Sequence, residues 1–343
     1  MSQARNIDVH AHILSEETMR LIAKEAPAIG PRLTPIDGEF AVLEVNGVPY
    51  KPFPRGGWDL ERRLRDMDTS EVDVQVLSNT PQTFLYGIDG ALNATLATIQ
   101  NDQIAKTVAQ LPERLLGIAT LPMQAPEAAA QELRRAMRNL GLRGAQIGSN
   151  VNGRNLDDPA LEPVWAAANE LGAFMMIHPT QIAGVDRLKS YYLTNLIGNP
   201  LDTTIAAASL VFGGVVERYP AIKFCLVHGG GFVPYQAGRF SHGWQVRPEP
   251  QVRLKEPPDA SLRRLYFDTI LHGRPALEFL VSTFGPAHVL LGSDYPFDMG
   301  TLECVRQVKA LSIAESERAA ILGNGATLLG GMAGAGKRDA RAR

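Results

Sequence analysis

The sequence predicts a single (β/α)8 barrel of the α/β class. Eight short apolar runs alternate with longer helical patterns through almost the whole chain, and most of these runs are continuously apolar. Continuously apolar strands are typical of a parallel sheet that helices cover on both faces. A length of 343 residues suits one large barrel, because such barrels exceed about 250 residues when they carry insertions.

Each predicted strand is flanked by Gly, Pro, Asn or Asp, which are residues that end strands. In chain order the predicted strands cover residues 7–10, 72–77, 115–121, 144–148, 174–178, 223–228, 265–270 and 289–293. An open, doubly wound sheet is the alternative, but that fold usually has a Gly-rich phosphate turn after its first strand. Here the first strand ends in His10-Ala11-His12, which favours the barrel.

Helices are predicted between the strands. Residues 126–140 open with proline and an acid and stop at Gly141, and residues 159–171 repeat this pattern up to Gly172. Residues 33–58 interrupt the alternation with Gly, Pro and an Asn46-Gly47 pair, which predicts a β-hairpin insertion over the active-site mouth. We therefore expect one domain over residues 1–329 and a flexible, Gly/Ala-rich tail over residues 330–343.

Composition excludes several classes of function. The chain has 34 basic and 36 acidic side chains and a net charge of −2, without the basic field that binds nucleic acid or anionic membranes. Two cysteines cannot form a disulfide framework and indicate a reducing compartment. No apolar stretch is long enough for a membrane span, and the first residues show no signal core. A cytoplasmic protein with a small-molecule substrate is expected.

Polar residues follow several predicted strands at their carboxyl ends. His10 and His12 stand two apart, so their imidazoles project to one face of the first strand. His178, His228 and Asp294 close the fifth, sixth and eighth strands. In a barrel these ends share one rim, and side chains of these types there predict a metal centre. Three further histidines (His242, His272 and His288) are interpreted as structural, although His272 lies near the rim.

The ordered set of motifs resembles the amidohydrolase superfamily, and within it the aminocarboxymuconate-semialdehyde decarboxylase-like branch of metal-dependent decarboxylases. The residues that carry the resemblance are His10-x-His12, His178-Pro179, Val227-His228-Gly229-Gly230-Gly231 and Gly292-Ser293-Asp294-Tyr295-Pro296. The resemblance implies that His10, His12, His178 and Asp294 bind one divalent metal ion, most often zinc, with manganese possible for such a ligand set. His228 is then the acid/base residue beside the metal-bound water, and Asp294 can share proton transfer.

Other members of the superfamily bind two metal ions bridged by a modified lysine on the fourth strand, and residues 144–148 contain no lysine. One ion is therefore expected. Arg239 matches a position where the branch places an arginine that reaches the neighbouring subunit's site, which implies substrate binding and a homodimer; a solvated helix arginine is the alternative. Lys51 falls where the branch has a substrate arginine and keeps the charge without the planar fork. Asn195 replaces a bulky aromatic residue.

The expected function is that of a metal-dependent decarboxylase, free of organic cofactor, that acts on an unsaturated or aromatic carboxylic acid. A mononuclear metal-dependent hydrolase of a lactone or amide is the alternative, because the same ligands and the same base serve both reactions. A noncatalytic metal-binding scaffold is a third hypothesis, and it would require the loss of a ligand or of the base, neither of which is missing.

Overall fold

The protein contains eight parallel strands that follow one another along the chain. A computed structural model describes residues 5–330, so the predicted tail lies outside the described residues except for Gly330. The third strand is interrupted at one residue and has two parts. In chain order the strands are Ile7–Ile13, Val74–Asn79, Leu115–Gly117 with Ala119–Thr120, Gly144–Gly148, Phe174–His178, Lys223–Leu226, Tyr266–Asp268 and Val289–Leu290.

Each strand pairs in parallel with the next one along the chain. The first strand also bonds to the chain beyond the eighth: His12 N–H donates to the Tyr295 carbonyl at 2.6 Å, and Asp294 N–H donates to the His10 carbonyl at 2.9 Å. These bonds close the sheet and bring His10, His12 and Asp294 side by side. The predicted α/β architecture with parallel strands is confirmed.

Helices connect the strands and cover them. The α-helices are Glu16–Glu25, Leu60–Thr69, Gly90–Gln110, Pro126–Arg138, Glu162–Leu171, Asn199–Phe212, Val215–Arg218, Val233–Val246, Pro258–Leu262, Arg274–Phe284, Cys304–Lys309 and Glu315–Leu328. The helix predicted for residues 159–171 begins as a 3-10 turn over Pro159–Leu161, and Gly172 ends it in the left-handed conformation (φ 58°). Between residues 5 and 330, no helix combines the length and the hydropathy of a bilayer span.

Two of the predicted strands end before the polar residues that were expected to close them. The sixth stops at Leu226 and the eighth at Leu290, so His228 and Asp294 lie in the loops that follow. Both residues have left-handed backbones, with φ of 56° and 54°. A strand cannot continue through such a residue, because extended backbone requires negative φ. The turn instead directs each side chain over the end of the barrel.

Residues between the first strand and the second barrel strand form a separate antiparallel sheet. Its strands are Arg32–Pro35, Phe40–Val45 and Val48–Pro54. Asn46 and Gly47 form the second turn with φ of 51° and 74°, as the Asn-Gly pair predicts. The sheet has three strands where the sequence indicated one hairpin, because residues 32–35 also pair. Phe53 and Leu43 pack against Leu14, which directly follows the first barrel strand.

Candidate active site

His10 and His12 begin the site at the end of the first strand. Both are fully buried, and their Nε2 atoms lie 3.0 Å apart, so the two imidazoles project to one side as the spacing predicts. The Oδ1 atom of Asp294 lies 3.2 Å from each of these Nε2 atoms. Three potential ligand atoms therefore converge on one point.

His178 completes the cluster from the opposite side of the barrel. Phe174 and Met176 belong to one core cluster and Met175 and Ile177 to another, so His178 continues the face of Phe174 and Met176. Its ring centroid is 5.1 Å from that of His12 and 5.5 Å from that of His10. One ligand atom each from His10, His12, His178 and Asp294 lies within 4.8 Å of all the others.

The Nδ1 atom of each of these imidazoles faces a hydrogen-bond acceptor. Asp268 Oδ2 lies 2.7 Å from Nδ1 of His10, the Asn79 carbonyl oxygen 3.3 Å from Nδ1 of His12, and the Pro179 carbonyl oxygen 3.1 Å from Nδ1 of His178. An acceptor at Nδ1 places the proton there and leaves the Nε2 lone pair unprotonated. All three Nε2 lone pairs therefore point into the cluster, as metal ligands require.

The cluster combines two imidazoles that burial keeps neutral, those of His12 and His178, with buried carboxylates that favour positive charge at His10. Burial lowers the pKa of His12 to about 4 and the pKa of His178 well below its usual value. Burial also opposes a charge on His10, but Asp294 and Asp268 outweigh it and raise the pKa of His10 to about 10. Burial raises the pKa of Asp294, yet His10 and the neighbouring imidazoles hold it well below its usual value. Such a site favours a cation.

These residues fit one divalent metal ion. The Nε2 atom of His178 is buried and has no hydrogen-bond partner among the described residues, which is costly unless something occupies the space it faces. Two ligands of one ion, each bound at about 2.1 Å, lie about 3 Å apart when they subtend a right angle. The 3.0 and 3.2 Å separations among His10, His12 and Asp294 match that value.

His228 lies beside this cluster. Its Nε2 atom is 3.4 Å from Oδ2 of Asp294, the carboxylate oxygen that faces away from His10 and His12. Its ring centroid lies 5.5 Å from those of both His10 and His178. The side chain keeps 16% of its surface exposed, whereas that of His10 has none. His228 is thus the imidazole of the group that a substrate can reach.

A cavity of about 310 Å³ opens next to His228. It lies between the segment around Asn195 and Asn199 and the loop that follows the seventh strand. Its volume suits a small molecule. A second depression, of about 620 Å³, shares Asn195 and Asn199 with it. Asn195, which replaces an aromatic residue by the family resemblance, therefore lines the space that leads to the site.

The two predicted substrate cations form no hydrogen bond or ion pair with the metal cluster in this single chain. Lys51 is exposed on the strand Val48–Pro54, and Arg239 is exposed on the helix Val233–Val246. Neither side chain has a hydrogen bond or ion pair with residues 5–330, and neither lines the 310 Å³ cavity. The neighbouring residue Tyr50 instead faces the site, since its ring contacts Phe297, which in turn contacts His12.

Sequence reasoning missed three buried charged residues that support the site. Asp268 holds His10, and its Oδ1 accepts hydrogen bonds from the backbone N–H groups of Gly229 and Ile270 at 2.8 and 3.1 Å. Asp8 accepts hydrogen bonds from Ser293 N–H at 3.0 Å and Gln75 Nε2 at 2.8 Å. A search for acids at strand ends would have found Asp268, because it closes the seventh strand just as Asp294 follows the eighth.

Arg63 is the third of these residues. Its guanidinium is fully buried and donates to the carbonyls of His12 and Gly56 and to Oε1 of Gln75. It also lies 4.7 Å above the Tyr295 ring. Arg63 thereby fixes the backbone of a predicted ligand. Nothing in the helical pattern of residues 60–69 distinguishes it from Arg62, which is half-buried, or from Arg65, which is exposed.

A parallel barrel with three imidazoles and a carboxylate at the carboxyl ends of its strands defines a class of metal-dependent barrel enzymes. Within that class the chain belongs to the amidohydrolase family, which matches residues 7–329.

Similar proteins place the chain in the decarboxylase branch of that family. It is 38% identical over 325 residues to 2-amino-3-carboxymuconate-6-semialdehyde decarboxylase of Dictyostelium discoideum, covering 93% of this chain and 90% of the relative. The crystal structure of 5-carboxyvanillate decarboxylase from Sphingomonas paucimobilis is 26% identical with a TM-score of 0.82, covering 95% and 99% of the two chains. The predicted class of enzyme, a metal-dependent carboxy-lyase, is confirmed.

A further solved structure shares the fold. It is dihydroxybenzoic acid decarboxylase from Polaromonas sp. JS666 with bound manganese and an inhibitor, 2-nitroresorcinol, and it is 24% identical with a TM-score of 0.78. The match covers 95% of this chain and 97% of that one. The likeness supports the barrel architecture over nearly the whole length.

Proposed function

We propose that this enzyme decarboxylates 2-amino-3-carboxymuconate-6-semialdehyde or a closely related unsaturated acid. The observation that carries the proposal is the convergence of His10, His12, His178 and Asp294 with all three histidine Nδ1 atoms facing acceptors. His228 lies on the cavity side of that cluster. The proposed substrate is the one in the name of the relative that is 38% identical and covers 93% of this chain.

The four converging residues are proposed to hold one divalent ion, with zinc as the first candidate and manganese as the second. Manganese is bound in the Polaromonas structure, and a ligand set of three imidazoles and one carboxylate accepts either ion. When bound, the ion supplies Lewis-acid stabilisation of negative charge and lowers the pKa of a water molecule that it binds. Elemental analysis of the purified protein tests the identity and the stoichiometry, with one ion per chain expected.

We propose that His228 and Asp294 carry out proton transfer. Loss of carbon dioxide breaks a carbon–carbon bond and leaves its electron pair on the substrate carbon, which must then gain a proton. The Nε2 atom of His228 lies 3.4 Å from Oδ2 of Asp294 and reaches the cavity, so it can deliver that proton and recover another through the carboxylate. Imidazole is the side chain most often used as a general acid or base.

Carbon dioxide release from the purified, metal-loaded enzyme is the direct test. The proposed substrate should yield one carbon dioxide per molecule consumed, and a chelator should abolish the release until Zn²⁺ or Mn²⁺ is added back. A hydrolase working on the same centre would instead convert a lactone or amide to its ring-opened or cleaved acid without carbon dioxide. Hydrolysis without carbon dioxide release would refute the proposal.

Lys51 and Arg239 remain proposed substrate-binding residues that act in a homodimer. Both are exposed in the single chain, and an arginine supplied to a partner's site must be exposed before the subunits associate. Sedimentation at several protein concentrations tests the dimer, and Arg239→Ala should raise KM if the arginine reaches a carboxylate.

We also propose that residues 33–58 lie over the active-site mouth. The three-stranded sheet packs against Leu14, which directly follows the first barrel strand, and this contact supports the proposal.

The domain division and the compartment are likewise proposed. We propose one domain over residues 1–329, since the strands follow one another around a single closed sheet. Both cysteines, Cys225 and Cys304, are free and buried, which supports a reducing, cytoplasmic compartment. Fractionation of cells that express the tagged chain tests the compartment.

A further inference from the structure

The turn that follows the fifth strand provides the hydrogen-bond acceptor of His178. The Pro179 carbonyl oxygen lies 3.1 Å from Nδ1 of His178. This carbonyl group and the N–H group of Thr180 belong to one planar peptide unit, so neither can turn without the other. A residue that holds the Thr180 N–H therefore also orients the acceptor that His178 faces.

Ser149, which directly follows the fourth strand, binds this turn at two points. Its backbone N–H donates to the His178 carbonyl at 2.8 Å. Its Oγ atom accepts a hydrogen bond from Thr180 N–H at 3.0 Å. A hydroxyl group has one proton and two lone pairs. A second acceptor that receives the Ser149 proton therefore leaves a lone pair free for Thr180.

Asp202 is that second acceptor. It lies in the first turn of the helix Asn199–Phe212 and is buried. Its Oδ2 atom accepts hydrogen bonds from Ser149 Oγ and, at 3.1 Å, from Asn150 Nδ2, and its Oδ1 atom accepts from Ala183 N–H at 3.1 Å. No cation between residues 5 and 330 forms an ion pair with Asp202. Because a buried carboxylate is costly without such partners, these three donors and Asp202 hold one another in place.

We infer that Asp202 is a positioning residue that acts on His178 through Ser149. Asp202 accepts the Ser149 proton, and Ser149 in turn accepts the N–H of Thr180. The peptide unit held in this way directs the Pro179 carbonyl to Nδ1 of His178, which keeps the proton there and leaves the Nε2 lone pair for an ion. The inference rests on the proposed metal centre, since His178 is one of its four residues.

Metal affinity of the folded protein, measured by competition with a chromophoric chelator, tests the inference. Asp202→Asn should weaken Zn²⁺ binding about tenfold, the lower end of the usual effect of residues behind a ligating histidine. Whichever way the new amide is turned, its NH2 group faces another donor, either Ala183 N–H or Asn150 Nδ2. Asp89→Asn is the matched control, because Asp89 also accepts backbone N–H groups at the start of a helix. The control should bind Zn²⁺ as the unaltered protein does.

Ser149→Ala shows whether Asp202 acts through Ser149. This substitution removes the acceptor of Thr180 N–H and should also weaken Zn²⁺ binding about tenfold. The variant that carries both substitutions should bind about as weakly as either single variant, since both interrupt one path. The visible absorption of the Co²⁺-loaded protein reports the ligand geometry and should change in both single variants. A merely structural role would lower the thermal midpoint and leave the affinity and this absorption as in the control.

The inference is overturned if either Asp202→Asn or Ser149→Ala binds Zn²⁺ as tightly as the control. It is also overturned if the two substitutions act independently, so that the double variant binds about a hundredfold more weakly. An unaltered protein that binds no ion would refute the proposed metal centre and this inference together. The expected affinities in an enzyme that releases no carbon dioxide would support the inference and refute the proposed reaction alone.

Discussion

The proposed roles of ligation, support and proton transfer fall on different residues of this site. The imidazoles of His10, His12 and His178 present Nε2 to one point, and an acceptor at each Nδ1 fixes their tautomers. His228 stands outside that group, within reach of the cavity and of Asp294. Substitutions can therefore separate loss of the metal from loss of proton transfer.

We expect His228→Asn to reduce carbon dioxide release by about 10² to 10⁴-fold, the usual contribution of a positioned acid or base. Asparagine accommodates the left-handed backbone at this position but cannot carry the proton. Metal content should stay at one ion per chain, since the His228 ring lies outside the four-residue cluster. Loss of the ion in this variant would show that His228 is itself a ligand.

Asp268→Asn should weaken metal binding by about 10- to 100-fold, as substitutions of a carboxylate behind a ligating histidine usually do. In this variant an amide NH2 group would replace Oδ2 and face the Nδ1–H of His10. Both groups are donors, so the imidazole would lose its hydrogen-bond acceptor. Competition with a chromophoric chelator measures the affinity. Asp186→Asn is the control, because Asp186 is exposed and has no ion pair within the described chain. Equal affinities in the two variants would contradict this role of Asp268.

Secondary-structure elements position these residues through tight contacts between neighbouring strands. The fourth and fifth strands, Gly144–Gly148 and Phe174–His178, pair along their whole length. Gly144 has a φ of 148°, and a Cβ atom there would lie 1.9 Å from the carbonyl oxygen of Phe174. The start of the strand that ends in His178 therefore depends on a glycine beside it.

Gly144→Ala should lower the free energy of unfolding by about 3 kcal/mol, because the new methyl group meets fixed backbone in a conformation that alanine disfavours. Gly238→Ala is the matched control: Gly238 lies in the helix Val233–Val246 with nothing within 4 Å of an added Cβ. In that control the free energy of unfolding should rise by about 0.5–1 kcal/mol, because alanine has a higher helix propensity than glycine. Urea unfolding followed by circular dichroism measures both. A Gly144→Ala protein as stable as the control would show that the strands can separate at low cost.

At the scale of the whole molecule, the site joins parts of the chain that are far apart in sequence. His10 and His12 lie on the first strand, His178 on the fifth, and Asp294 beyond the eighth, while backbone bonds from His12 and Asp294 close the barrel. An ion held by all four residues would cross-link both sides of the sheet. Metal binding and folding are then linked, because the unfolded chain cannot assemble the ligands.

Removal of the ion should therefore lower the thermal midpoint of the whole domain. At a free ion concentration 1,000 times Kd, binding stabilises the native state by about 4 kcal/mol. Differential scanning calorimetry with and without chelator, followed by readdition of Zn²⁺, measures this effect. The thermal midpoint of the His178→Ala variant should lie close to that of the chelator-treated protein. Added metal should change the midpoint of this variant little. A midpoint insensitive to chelator in the unaltered protein would contradict the linkage.

The amino-acid sequence by itself determined the architecture and the candidate residues. Short, mostly apolar runs predicted the strands 144–148 and 174–178 to the residue, since strands buried on both faces are rich in apolar residues. The i, i+2 spacing of His10 and His12 predicted that they share a face, which the 3.0 Å contact bears out. Resemblance in the motifs predicted the amidohydrolase family and its decarboxylase branch, which the comparisons confirm.

Only the tertiary structure decided which polar groups support the site and which cations do not line the cavity in a single chain. Asp268 is marked in the sequence only by its place at the end of the seventh strand, and Asp8 and Arg63 carry no local signal, because their roles come from partners elsewhere in the chain. The sequence around Lys51 and Arg239 does not show whether these side chains face a substrate or solvent. Their exposure depends on how whole elements pack. Periodicity records which face of an element is buried, whereas a contact between distant residues is fixed only when the sheet closes.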